Sequence, residues 1–218
     1  YKNQNRTHVE FERLPEDLVN ALIATEDIRF YKHSGIDFKG LARAFILRGI
    51  LQKKSAGGGS TITQQFAKLL FHEQAKSNSE RLQQKVKEWI IAVKLERAYT
   101  KEEIIALYFN QYDFLYNAVG IQSAAQVYFN TQPDSLRIEQ SAMLVGMAKN
   151  SALYNPKRFP DIALKRRNTV LSQMAKYGFI TEAQSDSLRA LPLEIDFQRM
   201  SHNGGTATYF REFIRLTM

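Results

Sequence analysis

Apolar positions recur along most of this 218-residue chain at the three- and four-residue spacing of helices. Leu18, Ala21, Leu22 and Thr25 form one stripe, with Pro15 at the expected first turn and Glu16 and Asp17 beside the positive helix end. Ser34-Gly35 breaks the pattern. "FKGLARAFILRGILQKK" then predicts a second helix, apolar around most of its circumference and interspersed with Lys39, Arg43, Arg48, Lys53 and Lys54. "GGGSTITQQFAKLLF" reads as a flexible loop running into a helix buried along Ile62, Phe66, Leu69 and Leu70. Thr61, Gln64, Gln65, Lys68 and His72 fall on or near its other face. A longer helix over roughly 80 to 98 is expected to turn Leu82, Val86, Trp89, Ile90 and Val93 inward, with Arg81, Lys85 and Glu88 along another side. Thr100 with Glu103, and Thr181 with Gln184, have capping-box spacing. Strand signals are few, and "LPLEIDF" is the best of them. The expected fold class is mainly α.

Bulk properties narrow the picture only a little. The length suits one domain, or one domain with a small lobe, and permits a sizeable core. A net charge of +8 points to an anionic partner: nucleic acid, a membrane surface or a phosphorylated substrate. Cysteine is absent, which removes disulfides and thiolate metal sites. No apolar run is long enough to span a bilayer, and no signal peptide is visible. The chain opens "YKNQNRTHVE", without an initiator Met, as expected of an excised segment whose targeting elements lie elsewhere.

Three stretches carry candidate chemistry. Gly57 to Gly59, with Ser60 and a helix start behind them, offer free backbone N–H groups to an anion. Such a run is more often a mobile connector, and the Lys that a Walker loop needs before its Ser/Thr is missing. Lys68, two turns further on, favours the anion reading. Arg81, Lys85 and Glu88 read either as a solvated face with one i,i+3 ion pair or as cations converging with Lys68 on a polyanion, Glu88 positioning one of them. "ATEDIRFYKH" packs Glu26, Asp27, Arg29, Phe30 and His33 into one helix end. Neighbouring helical residues point about 100° apart, so one acid would act and the other brace, with Arg29 a candidate partner. An ionised carboxylate can take a proton from a hydroxyl without tuning.

Together, "EDIRFYKHSGID", "GGSTITQQFAK" and "KVKEWIIAVKLE" resemble, in order and wording, the first three motifs of the family 51 peptidoglycan glycosyltransferases. "YFNQYDFLYNAVGIQSAAQVYF" is similar to the fourth motif, and "EQSAMLVGMAKNSALYNP" with "RRNTVLSQM" to the fifth. The resemblance covers about residues 10 to 185. The tail "ATYFREFIRL" resembles the linker toward the transpeptidase domain of class A penicillin-binding proteins.

The resemblance implies a lysozyme-like helical domain with a large lobe and a small membrane-interacting jaw lobe. Residues 1–195 would form the glycosyltransferase domain, about 34–75 the small lobe, and 196–218 the linker. It implies polymerisation of lipid II into β-1,4 glycan, with inversion at the donor carbon and release of undecaprenyl diphosphate. Glu26 takes the place of the general base, and Glu88 that of the second essential carboxylate, expected to orient cations. Asp27, Phe30 and His33 match supporting positions; Ser60, Thr61, Gln64 and Gln65 match residues that shape the cleft; Lys68, Arg81 and Lys85 fall to the donor diphosphate. A diphosphate leaves as a stable polyanion, so cations serve it where a hydrolase would need an acid. No metal-ligand cluster is evident, and a divalent cation, if one takes part, would arrive with the diphosphate. The implied partners are lipid II, the growing glycan and the membrane surface, with other cell-wall synthesis proteins and moenomycin-type inhibitors also expected. The implied location is the outer face of the bacterial cytoplasmic membrane, the apolar side chains of 38–51 entering the interface and their cations meeting head groups.

Several positions depart from the family pattern: Gln84 where Arg is usual, with Arg81 or Lys76 as substitutes; Leu115 where Gly is usual; and "YFNT" in place of "YFGK". A lytic transglycosylase or hydrolase is disfavoured by "STITQQ" and the cations. A nucleic-acid-binding module is disfavoured by the scatter of the basic residues, so no nucleic acid is expected. Retention of Glu26, Lys68 and Glu88 speaks against an inactive scaffold.

Overall fold

The computed structural model describes residues 8–46, 59–70 and 77–198. Nine α-helices order these residues: α1 Glu16–Glu26, α2 Phe38–Phe45, α3 Ile62–Leu70, α4 Asn78–Ala98, α5 Lys101–Gln111, α6 Ile121–Phe129, α7 Ile138–Ala148, α8 Pro160–Lys176 and α9 Glu182–Ala190. The mainly α expectation holds. "LPLEIDF" is not a strand: Asp196 and Gln198 donate their amides to Tyr128 and Val127 carbonyls near the end of α6, and a lone segment with two such bonds makes no sheet. The sole bridge among the described residues joins Asp113 to Val119. None of these helices is long and apolar enough to cross a membrane.

Two helix groups meet at the end of α1. α1 packs against α7 and α8, with α9 beyond them, while α3 packs against α4 and α5. The core runs through Leu18, Leu22, Ile62, Phe66, Ile104, Phe109, Leu144 and Val170, all buried. Both expected capping boxes form, on α5 and α9, each fixing a helix start through reciprocal side-chain and backbone bonds.

Two helices differ from their apolar patterns. α3 buries Thr63 and Gln64 as well as Ile62 and Phe66, and Thr61 just before it is buried too, whereas Leu70 is exposed. Its start is wedged against the backbone turn at Gly35, where polar side chains find main-chain partners. α4 is reversed: Glu88 and Ala92 are its buried residues, while Leu82, Val86 and Ile90 are exposed and Trp89 and Val93 half-buried. Periodicity locates a stripe but not the side it turns to: here Glu88 and Ala92 are turned inward, and Lys85, the partner of Glu88, stays exposed. Expectations for Arg48, Lys53, Lys54, Gly57, His72 and Lys76 lie outside the described residues.

Candidate active site

Glu26 is the last residue of α1, at the junction of the two helix groups. Its Oε2 accepts from Gln65 Nε2 of α3 at 2.9 Å, and its Oε1 accepts from Arg166 Nη2 of α8 at 3.1 Å. The carboxylate keeps 16% of its side-chain exposure, so it is shielded but reachable. Each carboxylate oxygen has a second acceptor position, so these two bonds leave capacity for an incoming hydroxyl. Tyr108 donates its hydroxyl to Gln65 Oε1 at 3.4 Å, which turns the amide so that its NH2 faces Glu26. Burial pushes the Tyr108 phenol well above its ordinary pKa, with the nearby Glu26 charge adding to the shift, so it stays a donor at neutral pH.

Asp27 is the C-cap of α1, with φ -158, and its side chain takes partners other than those of Glu26. Its buried carboxylate accepts from His33 Nε2 at 3.0 Å and from the Ile62 backbone N–H at 3.1 Å. Arg29 is not its partner; Arg29 Nε instead donates to Asp37 at 3.1 Å, because the turn after α1 carries it toward the start of α2. Asp27 thus caps α3. Thr61 caps the same end, its Oγ1 accepting from the Gln64 N–H at 3.1 Å. These two caps take the amides of Ile62 and Gln64, while Gly57 and Gly58 of the expected anion cradle lie outside the described residues.

Thr61 Oγ1 and Gln64 Nε2 both donate to the Gly35 carbonyl, at 2.7 and 3.1 Å. Gly35 has φ +88, and a Cβ on it would lie 2.9 Å from the Ala92 carbonyl of α4. Phe30 is fully buried beneath Lys101, whose ammonium sits 4.3 Å from the ring centre and bonds both Glu96 and the His33 carbonyl. Asp27, Phe30, His33, Thr61 and Gln64 therefore hold the frame on which Glu26 and Gln65 are presented.

The cations lie on the α3–α4 side. Lys85 Nζ bonds Glu88 Oε2 at 2.6 Å and Ser60 Oγ at 3.2 Å, tying α4 to the residue just before Thr61. Glu88 is buried and Lys85 partly exposed, so the acid orients the cation and leaves its outer side open. Lys68 is exposed one turn beyond Gln65 on the same face of α3. Arg81 is exposed one turn before Lys85, and Gln84 is half-buried.

Arg166 received no role from the sequence, although "RRNTVLSQM" contains it. Its partner lies 140 positions away, and no local pattern links them. The two arginines of that stretch do different work: buried Arg167 collects the carbonyls of Leu188, Leu191 and Pro192 at the end of α9.

Leu115 and Asn130, two of the other departures, have local explanations. Leu115, Tyr116 and Asn117 all adopt positive φ, so the position where the family pattern has Gly is left-handed. Asn130 takes the left-handed turn that ends α6, donating its N–H to the Gln126 carbonyl; Asn is the next most suitable residue after Gly for that turn.

The transglycosylase family profile matches residues 1–175. The chain is similar to penicillin-binding protein 1A of Aquifex aeolicus, 40% identical over 192 residues, covering 88% of this chain and 26% of that protein. It is similar to penicillin-binding protein 1A of Escherichia coli, 36% identical over 218 residues, covering 100% of this chain and 25% of that protein. Penicillin-binding protein 1A/1B of Bacillus subtilis is 40% identical over 194 residues, 88% of this chain and 20% of that protein. The chain thus spans about a quarter of the length of these relatives. Among solved structures, penicillin-binding protein 1A from Haemophilus influenzae shares the fold, with a TM-score of 0.53 at 20% identity over 99% of this chain and 21% of that one. The chain belongs to the transglycosylase family, the family 51 glycosyltransferases.

Proposed function

We propose that this domain polymerises lipid II into β-1,4 glycan, Glu26 removing the proton of the acceptor 4-hydroxyl as its oxygen attacks C1 of the donor. The C1–oxygen bond to the diphosphate breaks as the new glycosidic bond forms, which inverts C1 and releases undecaprenyl diphosphate. The observation that carries this reading is the shielded but reachable carboxylate of Glu26, bonded to Gln65 and Arg166, with Lys68 one turn along the Gln65 face. An inverting hydrolase would need a protonated carboxyl beside the leaving oxygen. The second carboxylate here, Glu88, is bonded to Lys85 and supports cation placement instead.

Lys68, Lys85 and Arg81 hold the donor diphosphate in this reading, and Ser60 keeps Lys85 in place. Moenomycin-type phosphoglycolipids compete for the same cations. Residues 1–195 act as the catalytic domain, about 34–75 as its small lobe, and 196–218 as the linker. The protein works at the outer face of the cytoplasmic membrane. Exposed Phe38 and Ile46 beside Lys39 and Arg43 support a membrane-facing surface at α2. The outward stripe of α4 offers a second apolar surface: Val86, Trp89, Ile90 and Val93 line a hollow of about 430 Å³ that Lys94 and Arg97 also border.

The test is glycan formation from purified lipid II by the parent and by Glu26→Gln. Polymer from the parent and at least about a hundredfold less from the variant, the low end of general-base effects, is the expected result. Equal rates would remove Glu26 from the chemistry.

A further inference from the structure

We propose that Arg166 is a positioning residue for the base, holding the Glu26 carboxylate plane toward the cleft, and that Gly146 is there to let the arginine reach it. The inference rests on Glu26 being the base of glycan transfer. Glu26 makes its single ion pair among the described residues with Arg166, and both side chains are largely withdrawn from water. A carboxylate so shielded requires a compensating charge, and a planar guanidinium also restricts its rotation. Gln65 holds the other oxygen from the opposite helix group. The carboxylate is thereby fixed from two sides that share no element.

The path of Arg166 is confined. Its Nε lies 3.5 Å from the Gly146 carbonyl of α7, and its guanidinium carbon lies 5.5 Å from the centre of the Tyr154 ring. A Cβ on Gly146 would fall 3.0 Å from Arg166 Cγ. Gly146 is an α7 residue without positive φ, so the backbone conformation does not require glycine there. What requires it is the stem of Arg166 crossing over α7. An added methyl would push that stem, and with it the guanidinium, by a few tenths of an ångström or more.

The experiment measures kcat and KM for lipid II, with melting temperatures, for the parent, Arg166→Ala, Arg166→Lys, Gly146→Ala and the Gly146→Ala/Arg166→Ala double variant. A stability cycle of Glu26→Gln with Arg166→Ala is run alongside. Arg166→Ala should lose roughly a hundredfold in kcat, the scale of an ångström of misplacement, with KM little changed and partial rescue by methylguanidinium. Arg166→Lys, which keeps the charge without the planar fork, should fall between. Gly146→Ala should lower kcat in the parent and add nothing once Arg166 is gone. The stability losses of Glu26→Gln and Arg166→Ala should be less than additive. Folded Arg166→Ala with parental kcat, or Gly146→Ala equally harmful in both backgrounds, would overturn the proposal. If Arg166→Ala does not fold, a folded and fully active Gly146→Ala overturns it alone. If the parent makes no glycan, the functional reading fails, and additive stability losses would independently remove the Glu26–Arg166 coupling.

Discussion

Asp27 accepts the backbone N–H of Ile62 at 3.1 Å, so the residue after the proposed base caps the helix that presents Gln65 to that base. The same carboxylate holds His33, whose other ring nitrogen is buried without a partner, so the imidazole donates to Asp27 from Nε2. Asp27→Ala should destabilise by about 3 kcal/mol, combining a lost helix cap with a lost charged hydrogen bond. Asp27→Asn keeps one carbonyl acceptor and should cost about half as much. Urea midpoints read both. An alanine variant as stable as the parent would show that the cap contributes nothing.

Gly35 is the second support. Its φ of +88 and the 2.9 Å approach to Ala92 leave no room for a side chain, while its carbonyl serves both Thr61 and Gln64. Gly35→Ala should cost at least about 2 kcal/mol, from the left-handed penalty plus displacement of α4. Glycan synthesis should fall with it, because α3 carries Gln65. A variant that keeps the parental urea midpoint would mean that the α4 backbone yields freely.

The residues that could be read in advance were those whose partners lie within a helix or two. Glu26 stood out by its local density of polar neighbours, and the Thr100 and Thr181 caps by their own spacing. The outward stripe of α4 could not be oriented, since Leu82, Val86 and Ile90 have the same period whether a core or a lipid surface covers them. Glu88 gave a contrary clue: a glutamate opposite an apolar stripe is ordinarily solvated, and here it is buried under Lys85. Arg166 was hidden for a different reason, because its contact with Glu26 depends on the crossing of α7 and α8 at Gly146 and not on any spacing in the chain.

Leu115 is a position where the chain accepts strain. It stands at φ 68 in a run of three left-handed residues, tied down by its N–H to Asp113 Oδ1 at 2.8 Å. Leu115→Gly removes a left-handed penalty of about 1–2 kcal/mol and adds a backbone-entropy cost of about 0.5–1 kcal/mol. The variant should be equal to the parent or more stable by up to about 1.5 kcal/mol. Leu115→Val should be less stable, since branching at Cβ fits this conformation worst. Thermal melting of the pair checks the ordering, and a valine variant that outlasts glycine would contradict it.

Tyr112 links the site to alkaline stability. Its hydroxyl donates to the Met147 carbonyl at 3.0 Å, and burial pushes its pKa up to about 12, with the charges of Asp113 and Glu26 adding to the rise. In the unfolded chain a tyrosine loses its proton near pH 10. Between pH 10 and 12 the unfolded state therefore binds fewer protons than the folded one, and stability falls as pH rises through that window. Below pH 10 both states keep the proton and the effect is constant. The full change is about 2–3 kcal/mol for this residue. Tyr108 and Tyr128, also raised by burial, act in the same direction. Tyr112→Phe should cost about 1 kcal/mol at pH 8 through the lost hydrogen bond. It should also lose less stability than the parent between pH 10 and 11.5. Urea unfolding followed by circular dichroism across that range gives the comparison. Parallel curves would show that the Tyr112 phenol is exposed enough to ionise in the folded domain.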